Sequence, residues 1–382
     1  MNPSILNSVY GYYKVGDQYY INKTEALYNA TKNKQSAEWH FHEDVYGKID
    51  WSSRPAGTLD DLYRERAQQI RDRYDYIILL FSGGMDSWAM LEAFLINGIH
   101  IDEIVTRWPR AERKFVKVGT NRDQINMGSE YEFAVHPVLK YVEKHCPDTK
   151  ITVDDFSECF HQELTEADFM KTNGWQFLAN FFKYSRSTES ELEQVRHHRS
   201  IGLISGSEKI HLMSKNNNLY AFFTDQSNGG DNNPNRKMEF FYWSVDAPLI
   251  PVLQSHCIKD FLVEQQRINP EKLKLMIDDW RTIYQQVCYP RYSIDTFQVK
   301  KQFGSRVWQS DAWTYQYSPT YYHSWKWLTD QYFDNIDDQY IARLNDVPTA
   351  PKGSNNMIVG LNLFNSPLYL VSQNTNLPEF KR

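Results

Sequence analysis

The stretch Tyr76-Ile-Ile-Leu-Leu-Phe81, followed by Ser82-Gly-Gly-Met-Asp-Ser87 and then Trp88-Ala-Met-Leu-Glu-Ala-Phe-Leu-Ile-Asn97, decides the fold. The first run is continuously apolar and of strand length, as a central parallel strand covered on both faces requires. The last is apolar almost all round and of helical length, with Gly98 placed to stop it. Between them lies a tight turn of glycines and hydroxyls. Glu103-Ile-Val-Thr106 follows as a second strand, so strand, turn, buried helix and strand make a βαβ unit of the usual size.

Working outward, Thr58-Leu-Asp-Asp61 has the form of a capping box. It opens a helix in which Leu62, Tyr63, Ala67 and Ile70 keep helical spacing and which ends near Arg73. Further upstream, the tyrosine-rich run Tyr10 to Ile21 around Val15-Gly-Asp17 predicts a hairpin, followed by a short helix near Thr24 to Thr31. Downstream, a helix is expected over Asn126 to Lys144 with a kink at Pro137, and a third strand over Lys150 to Asp154. A long polar helical stretch then covers about 164 to 199. Gly202 to Ile210 reads as a fourth strand entering a glycine turn, and Leu219 to Thr224 as a fifth. Gln226 to Asn235 is dense in loop-forming residues. Beyond it, Glu239 to Trp243 and about 255 to 288 read as helical and aromatic, ending in a Tyr/Trp-rich tail.

The expected architecture is therefore α/β. A five-stranded parallel sheet with helices on both faces (residues 58–235) lies between a small mixed N-terminal lobe (1–57) and a mostly helical, aromatic-rich C-terminal lobe (236–382). Composition agrees: 382 residues, 41% hydrophobic and 24% charged, exclude wholesale disorder and fibrous repeats. With 42 basic and 48 acidic residues the net charge is −6, so the chain is no polycation built to coat nucleic acid. Four scattered cysteines form neither a CxxC pair nor a disulfide framework, which favours a reducing compartment. No leader pattern and no bilayer-length apolar run is present, so the expectation is a cytoplasmic protein without a membrane partner. A homo-oligomer is compatible with the sequence.

Chemistry concentrates in Ser82-Gly-Gly-Met-Asp-Ser87. Two glycines let the backbone approach a phosphate, the helix N-terminus offers amides without intrahelical acceptors, and Ser82 and Ser87 add hydroxyl donors. Asp86 is the odd member, because a carboxylate beside phosphates requires a cation such as Mg²⁺ between them. The chain holds neither GxxxxGK[ST] nor a GxGxxG fingerprint after a strand. An accidental Ser/Gly turn, or a loop that binds nucleotide without turnover, are the competing readings.

This motif in this setting resembles the PP-loop, or N-type, ATP pyrophosphatases of the adenine nucleotide alpha hydrolase-like (HUP-like) superfamily, whose members include asparagine and GMP synthetases. The similarity covers about residues 75 to 225. The resemblance implies ATP and Mg²⁺ as cofactors. Ser82, Gly83, Gly84, Met85 and Ser87 would line the phosphates, and Asp86 would hold the metal and serve catalysis. Backbone groups of Val105-Thr106-Arg107 would meet adenine. Ser205-Gly206-Ser-Glu-Lys209 resembles the later glycine-containing motif, with Ser205 and Gly206 at the nucleotide and Lys209 neutralising pyrophosphate; an ordinary turn with a solvated lysine is the alternative. The implied reaction cleaves ATP to AMP and pyrophosphate and activates a carboxylate or carbonyl of an unidentified small-molecule or nucleic-acid acceptor. The whole chain is also similar to phage proteins labelled phosphoadenosine-phosphosulfate reductase-like, through Glu239 to Trp243 and His256-Cys-Ile-Lys259.

Departures from the family narrow this. Position 2 is Asn, where a class II glutaminase would place its cysteine, and no cysteine cluster or C-terminal cysteine after Cys288 suits sulfur transfer or reduction. A reductase-like or sulfur-transfer enzyme and a non-catalytic ATP sensor remain as alternatives. Elsewhere, His40-Phe-His42 reads as a surface strand pair or half of a metal site. Val195 to Arg199 reads as a basic helix end, or as a phosphate contact. The basic run Trp108 to Lys117 reads as a solvated loop or as a contact for an anionic substrate or nucleic acid, and the aromatics Trp308 to Trp327 as core or partner interface or as a platform for bases.

Overall fold

The computed structural model describes residues 8–107, 135–155, 186–206, 209–225, 233–278, 280–289 and 364–381. Three sheets organise them. In the first, β1 (Tyr12–Val15) pairs antiparallel with both β2 (Gln18–Tyr20) and β3 (Ala37–His40), and the Lys23–Asn33 helix packs beside it. The hairpin and the helix stand where the aromatic runs and the Gly16-Asp17 turn predict.

The second sheet is the centre of the fold. It comprises β4 (Tyr76–Leu80), β5 (Glu103–Arg107), β6 (Lys150–Asp154), β7 (Ile201–Ser205) and, after the hairpin described next, a last strand Lys237–Phe240. All five are parallel. Every residue of β4 is buried, which is why its sequence shows no polar alternation. The helices Met85–Leu95, His136–His145 and Glu189–Arg196 lie in the connections between successive strands.

The third sheet is antiparallel and was not foreseen. β8 (His211–Lys215) and β9 (Asn218–Phe222) form a hairpin through Asn216 and Asn217, both left-handed at φ 52° and 62°, a conformation that asparagine tolerates. The expected fifth parallel strand, Leu219 to Thr224, thus belongs to this hairpin. The fifth parallel strand is instead β10 (Lys237–Phe240), inside a region expected to be helical, pairing Phe240 with Ser205 of β7. The order of the parallel sheet is β10-β7-β4-β5-β6. β11 (Tyr369–Ser372) and β12 (Phe380–Lys381) flank the hairpin, giving β11-β9-β8-β12.

The helices Leu249–Ile268, Pro270–Asp278 and Trp280–Val287 follow β10. Of the expected Asn126 to Lys144 helix, residues 126–134 lie outside the described residues; Pro137 stands at the start of the described His136–His145 helix. Most of the expected 164–199 helix and the Gln226 to Asn232 part of the loop lie outside the described residues, as do Trp108 to Lys117 and Trp308 to Trp327. No helix among the described residues is long and apolar enough to cross a membrane.

One hydrophobic cluster runs from Tyr10 to Leu377. The abundant aromatics are spent here: the Phe223 ring lies 4.5 Å from Tyr46, 4.8 Å from Phe41 and 4.9 Å from Trp243. Buried Asp225 accepts from the Tyr13 hydroxyl (2.7 Å), the Lys23 ammonium (2.8 Å) and the Phe364 amide (2.9 Å), tying three distant segments together.

The capping box before the Leu59–Arg73 helix is present as read. The Thr58 hydroxyl accepts from the Asp61 amide (3.2 Å), and the Asp61 carboxylate accepts from the Thr58 amide (3.1 Å). Thr58→Ala is expected to cost about 1 kcal/mol. A urea midpoint that falls with an unchanged m-value would register it; an unchanged midpoint would show that tertiary packing alone holds this end.

Candidate nucleotide site at the sheet crossover

β5 and β6 lie on one side of β4, and β7 and β10 on the other, so the strand order turns back between β4 and β7. Open parallel sheets bind ligands outside the carboxyl ends of the strands at such a reversal. Both motifs read from the sequence stand there.

After β4, the Phe81 amide donates to the Val105 carbonyl (2.9 Å), and the chain then turns at Gly83, whose φ of +72° favours glycine. Gly84 caps the Met85–Leu95 helix, and the Trp88 amide donates back to its carbonyl (2.9 Å). The two serines close the turn on itself. The Ser87 hydroxyl donates to the Gly84 carbonyl (3.1 Å) and accepts from the Ser82 amide (3.3 Å), while the Ser82 hydroxyl accepts from the Gly84 amide (3.4 Å). Ser82 is exposed, Met85 half-buried, and Gly83, Gly84, Asp86 and Ser87 are buried. The result is a preformed loop with the first turn of a helix behind it.

β7 meets this loop edge-on. At Gly206 an added Cβ would stand 2.8 Å from the Asp86 carbonyl oxygen and 3.1 Å from Ser87 Cα, so only glycine lets the two backbones approach. Gly206→Ala is expected to cost about 1–3 kcal/mol of stability, because the opposing atoms are backbone and cannot step aside cheaply. Urea unfolding checks this, and a wild-type midpoint would contradict the close approach. Beside Gly206, buried Ser205 offers its carbonyl to the Phe241 amide (2.9 Å), and the next residue, Tyr242, donates its hydroxyl to the Asp86 carbonyl (2.8 Å). The β10 end thereby fixes the first turn of the loop helix.

Lys209 reaches the same point, its Nζ 2.6 Å from Asp86 Oδ2. Asp86 Oδ1 is buried and has no hydrogen-bond partner among the described residues. A buried carboxylate oxygen left in this state is costly unless something positive or protic meets it. Thr106 is buried, and its hydroxyl donates to the Phe81 carbonyl (2.8 Å), bracing the base of the loop. Arg107 has its guanidinium buried, donating to the Arg186 carbonyl (2.8 Å) and lying 3.7 Å from Asp154.

The structure therefore brings Ser82, Gly83, Gly84, Met85, Asp86, Ser87, Ser205, Gly206 and Lys209 to adjoining strand ends, with Thr106 beneath. It does not bring the basic cluster to them: His197 to Arg199 precede β7 at its amino end, opposite the loop. His42 is not on the strand with His40 but beyond it, left-handed at φ 48°, with burial lowering its pKa. Among the described residues no group of three or more His, Cys, Asp or Glu side chains could hold a metal.

Sequence reading missed Tyr242 and Tyr284. The Tyr284 ring lies 5.7 Å from the Lys209 ammonium, and its hydroxyl donates to the Ile210 carbonyl. Cys257 and Cys288 are both pushed up by burial, Cys288 strongly, so neither is a ready thiolate; Cys159 lies outside the described residues.

Comparison with protein-family models, with curated proteins and with solved structures gives no match to this chain.

Proposed function

We propose that this protein binds ATP with Mg²⁺ at the Ser82–Ser87 loop and cleaves it to AMP and pyrophosphate, transferring the adenylyl group to a carboxylate or carbonyl oxygen of a small-molecule or nucleic-acid acceptor. The observation that carries the reading is Asp86: one carboxylate oxygen on Lys209, the other buried and unmatched among the described residues, behind a glycine turn at the sheet crossover. That donor set fits Mg²⁺, which is commonly held by one or two carboxylates together with substrate phosphates and water. When bound, the metal neutralises phosphate charge and holds the phosphates in place.

The protein's own residues supply the rest. The loop amides and the Ser82 hydroxyl bind and orient the phosphates, which fixes the α-phosphorus for attack from the acceptor side. The acceptor oxygen bonds to that phosphorus, and the bond to the α,β-bridging oxygen breaks. Lys209 meets the charge that develops on the leaving pyrophosphate. An amine or other nucleophile then attacks the activated carbon and releases AMP.

Incubation with α-³²P-ATP and Mg²⁺, with and without a metabolite and RNA extract, tests the reading. AMP and pyrophosphate that depend on extract are expected. Binding without turnover would favour an ATP sensor, and turnover abolished by replacing one of the four cysteines would favour sulfur transfer or reduction.

A further inference from the structure

We propose, on the footing of the ATP·Mg²⁺ reading, that Lys209 is a placeholder for the metal: its ammonium covers Asp86 until the metal arrives, then passes to the phosphates while the Tyr284 ring keeps it over the site. Three observations support this. First, the Asp86 and Lys209 side chains are mostly buried, at 12% and 22% exposure, so an Asp86 carboxylate without a counter-charge would be costly in the empty site. Second, a divalent cation that meets the unmatched Asp86 Oδ1 repels an ammonium on the other oxygen, which weakens the 2.6 Å contact of Lys209 once the metal is bound. Third, the displaced ammonium has somewhere to stay.

That place is built by a helix outside the parallel sheet. Tyr284 lies in the Trp280–Val287 helix and is buried, with its ring centroid 5.7 Å from Lys209 Nζ. Its hydroxyl donates to the carbonyl of Ile210, the residue after Lys209, so ring and lysine are tied to one frame. A cation over an aromatic face is held without being neutralised and stays available to a phosphate. Tyr284 is thus a positioning residue that acts through Lys209.

The test uses Mn²⁺ as probe on the full chain, with free Mn²⁺ followed by electron paramagnetic resonance, first alone and then with α,β-methylene-ATP. Lys209→Met is expected to tighten Mn²⁺ alone about tenfold, since the competing charge is gone, and to weaken the Mn²⁺·analogue complex about tenfold, since the phosphates lose their lysine. Tyr284→Leu should weaken the analogue complex, but add nothing in a Lys209→Met background. Tyr284→Phe, which keeps the ring, should lie nearer wild type.

Opposite signs are what a misfolded or merely structural variant would not give. If Lys209→Met shifts both affinities in one direction, or leaves Mn²⁺ alone unchanged, while Asp86→Asn still abolishes binding, the placeholder is overturned and the ATP·Mg²⁺ reading stands. If Asp86→Asn changes neither affinity, both fail.

Discussion

Asp86→Asn is expected to lower AMP and pyrophosphate formation by about 10²–10³, the usual consequence of removing one preorganised charge contact from a transition state. The substitution keeps the shape of the side chain and the Asp86 carbonyl that Tyr242 binds (2.8 Å), so the helix start stays in place. It removes the anionic oxygen that a metal needs and leaves Lys209 without its carboxylate. Asparagine keeps a neutral acceptor oxygen opposite Lys209, so a charge-assisted hydrogen bond gives way to an ordinary one at about 1 kcal/mol, and the thermal midpoint should fall by only a few degrees. Product analysis by thin-layer chromatography and a parallel melting curve separate the two effects. Full activity in Asp86→Asn would remove Asp86 from the chemistry; a collapsed midpoint would make its role structural.

The largest loss of stability is expected at Glu239. Its carboxylate accepts from Arg66 Nη2 (2.6 Å), from the Tyr74 hydroxyl (2.6 Å) and from Arg73 Nη1 (2.9 Å). Arg66 is completely buried and, among the described residues, donates elsewhere only to the Phe240 carbonyl (3.0 Å) and Gln69 Oε1 (2.7 Å), both neutral. Glu239→Ala therefore strands a buried guanidinium, and such one-sided removal costs about 3–5 kcal/mol. The Tyr74 hydroxyl, its pKa raised by burial and by Glu239, stays protonated and would lose its acceptor as well. Glu239→Gln, which keeps an acceptor oxygen, should lose less. Urea unfolding of the three proteins checks the order; a loss below about 1 kcal/mol for Glu239→Ala would mean that the Leu59–Arg73 helix does not depend on this ion pair.

The same residue explains where sequence reading stopped. β4, its loop and the following helix were legible because the hydrophobic period changes abruptly and the turn chemistry is local. The capping box at Thr58 was legible for the same reason. β10 was not, since Met238-Glu-Phe has a carboxylate in its middle, and the partner that lets Glu239 be buried in a central sheet, Arg66, stands 173 positions away. β9 was assigned to the wrong sheet because its pairing is decided partly by Tyr369 opposite Ala221, far along the chain.

The candidate site was legible residue by residue but not as a set of contacts. Asp86 and Lys209 each carry a motif, yet their 2.6 Å contact spans 123 positions. Tyr242 lies in the Glu239 to Trp243 stretch with no role of its own assigned, and Tyr284 is one of 25 tyrosines without a local signal. In the sequence, Gly206 is placed at the nucleotide only by the resemblance of Ser205 to Lys209 to a later glycine-containing motif. Its reason is the Asp86 carbonyl directly opposite, which only the fold supplies.

Amide hydrogen exchange on the full chain with and without ATP·Mg²⁺ would locate the nucleotide on the fold. Slowed exchange is expected in two segments alone, Ser82 to Trp88 and Ser205 to Ile210, and is lost in Asp86→Asn. Binding accompanied by protection elsewhere, with these two segments unchanged, would contradict a nucleotide site at the crossover of β4 and β7.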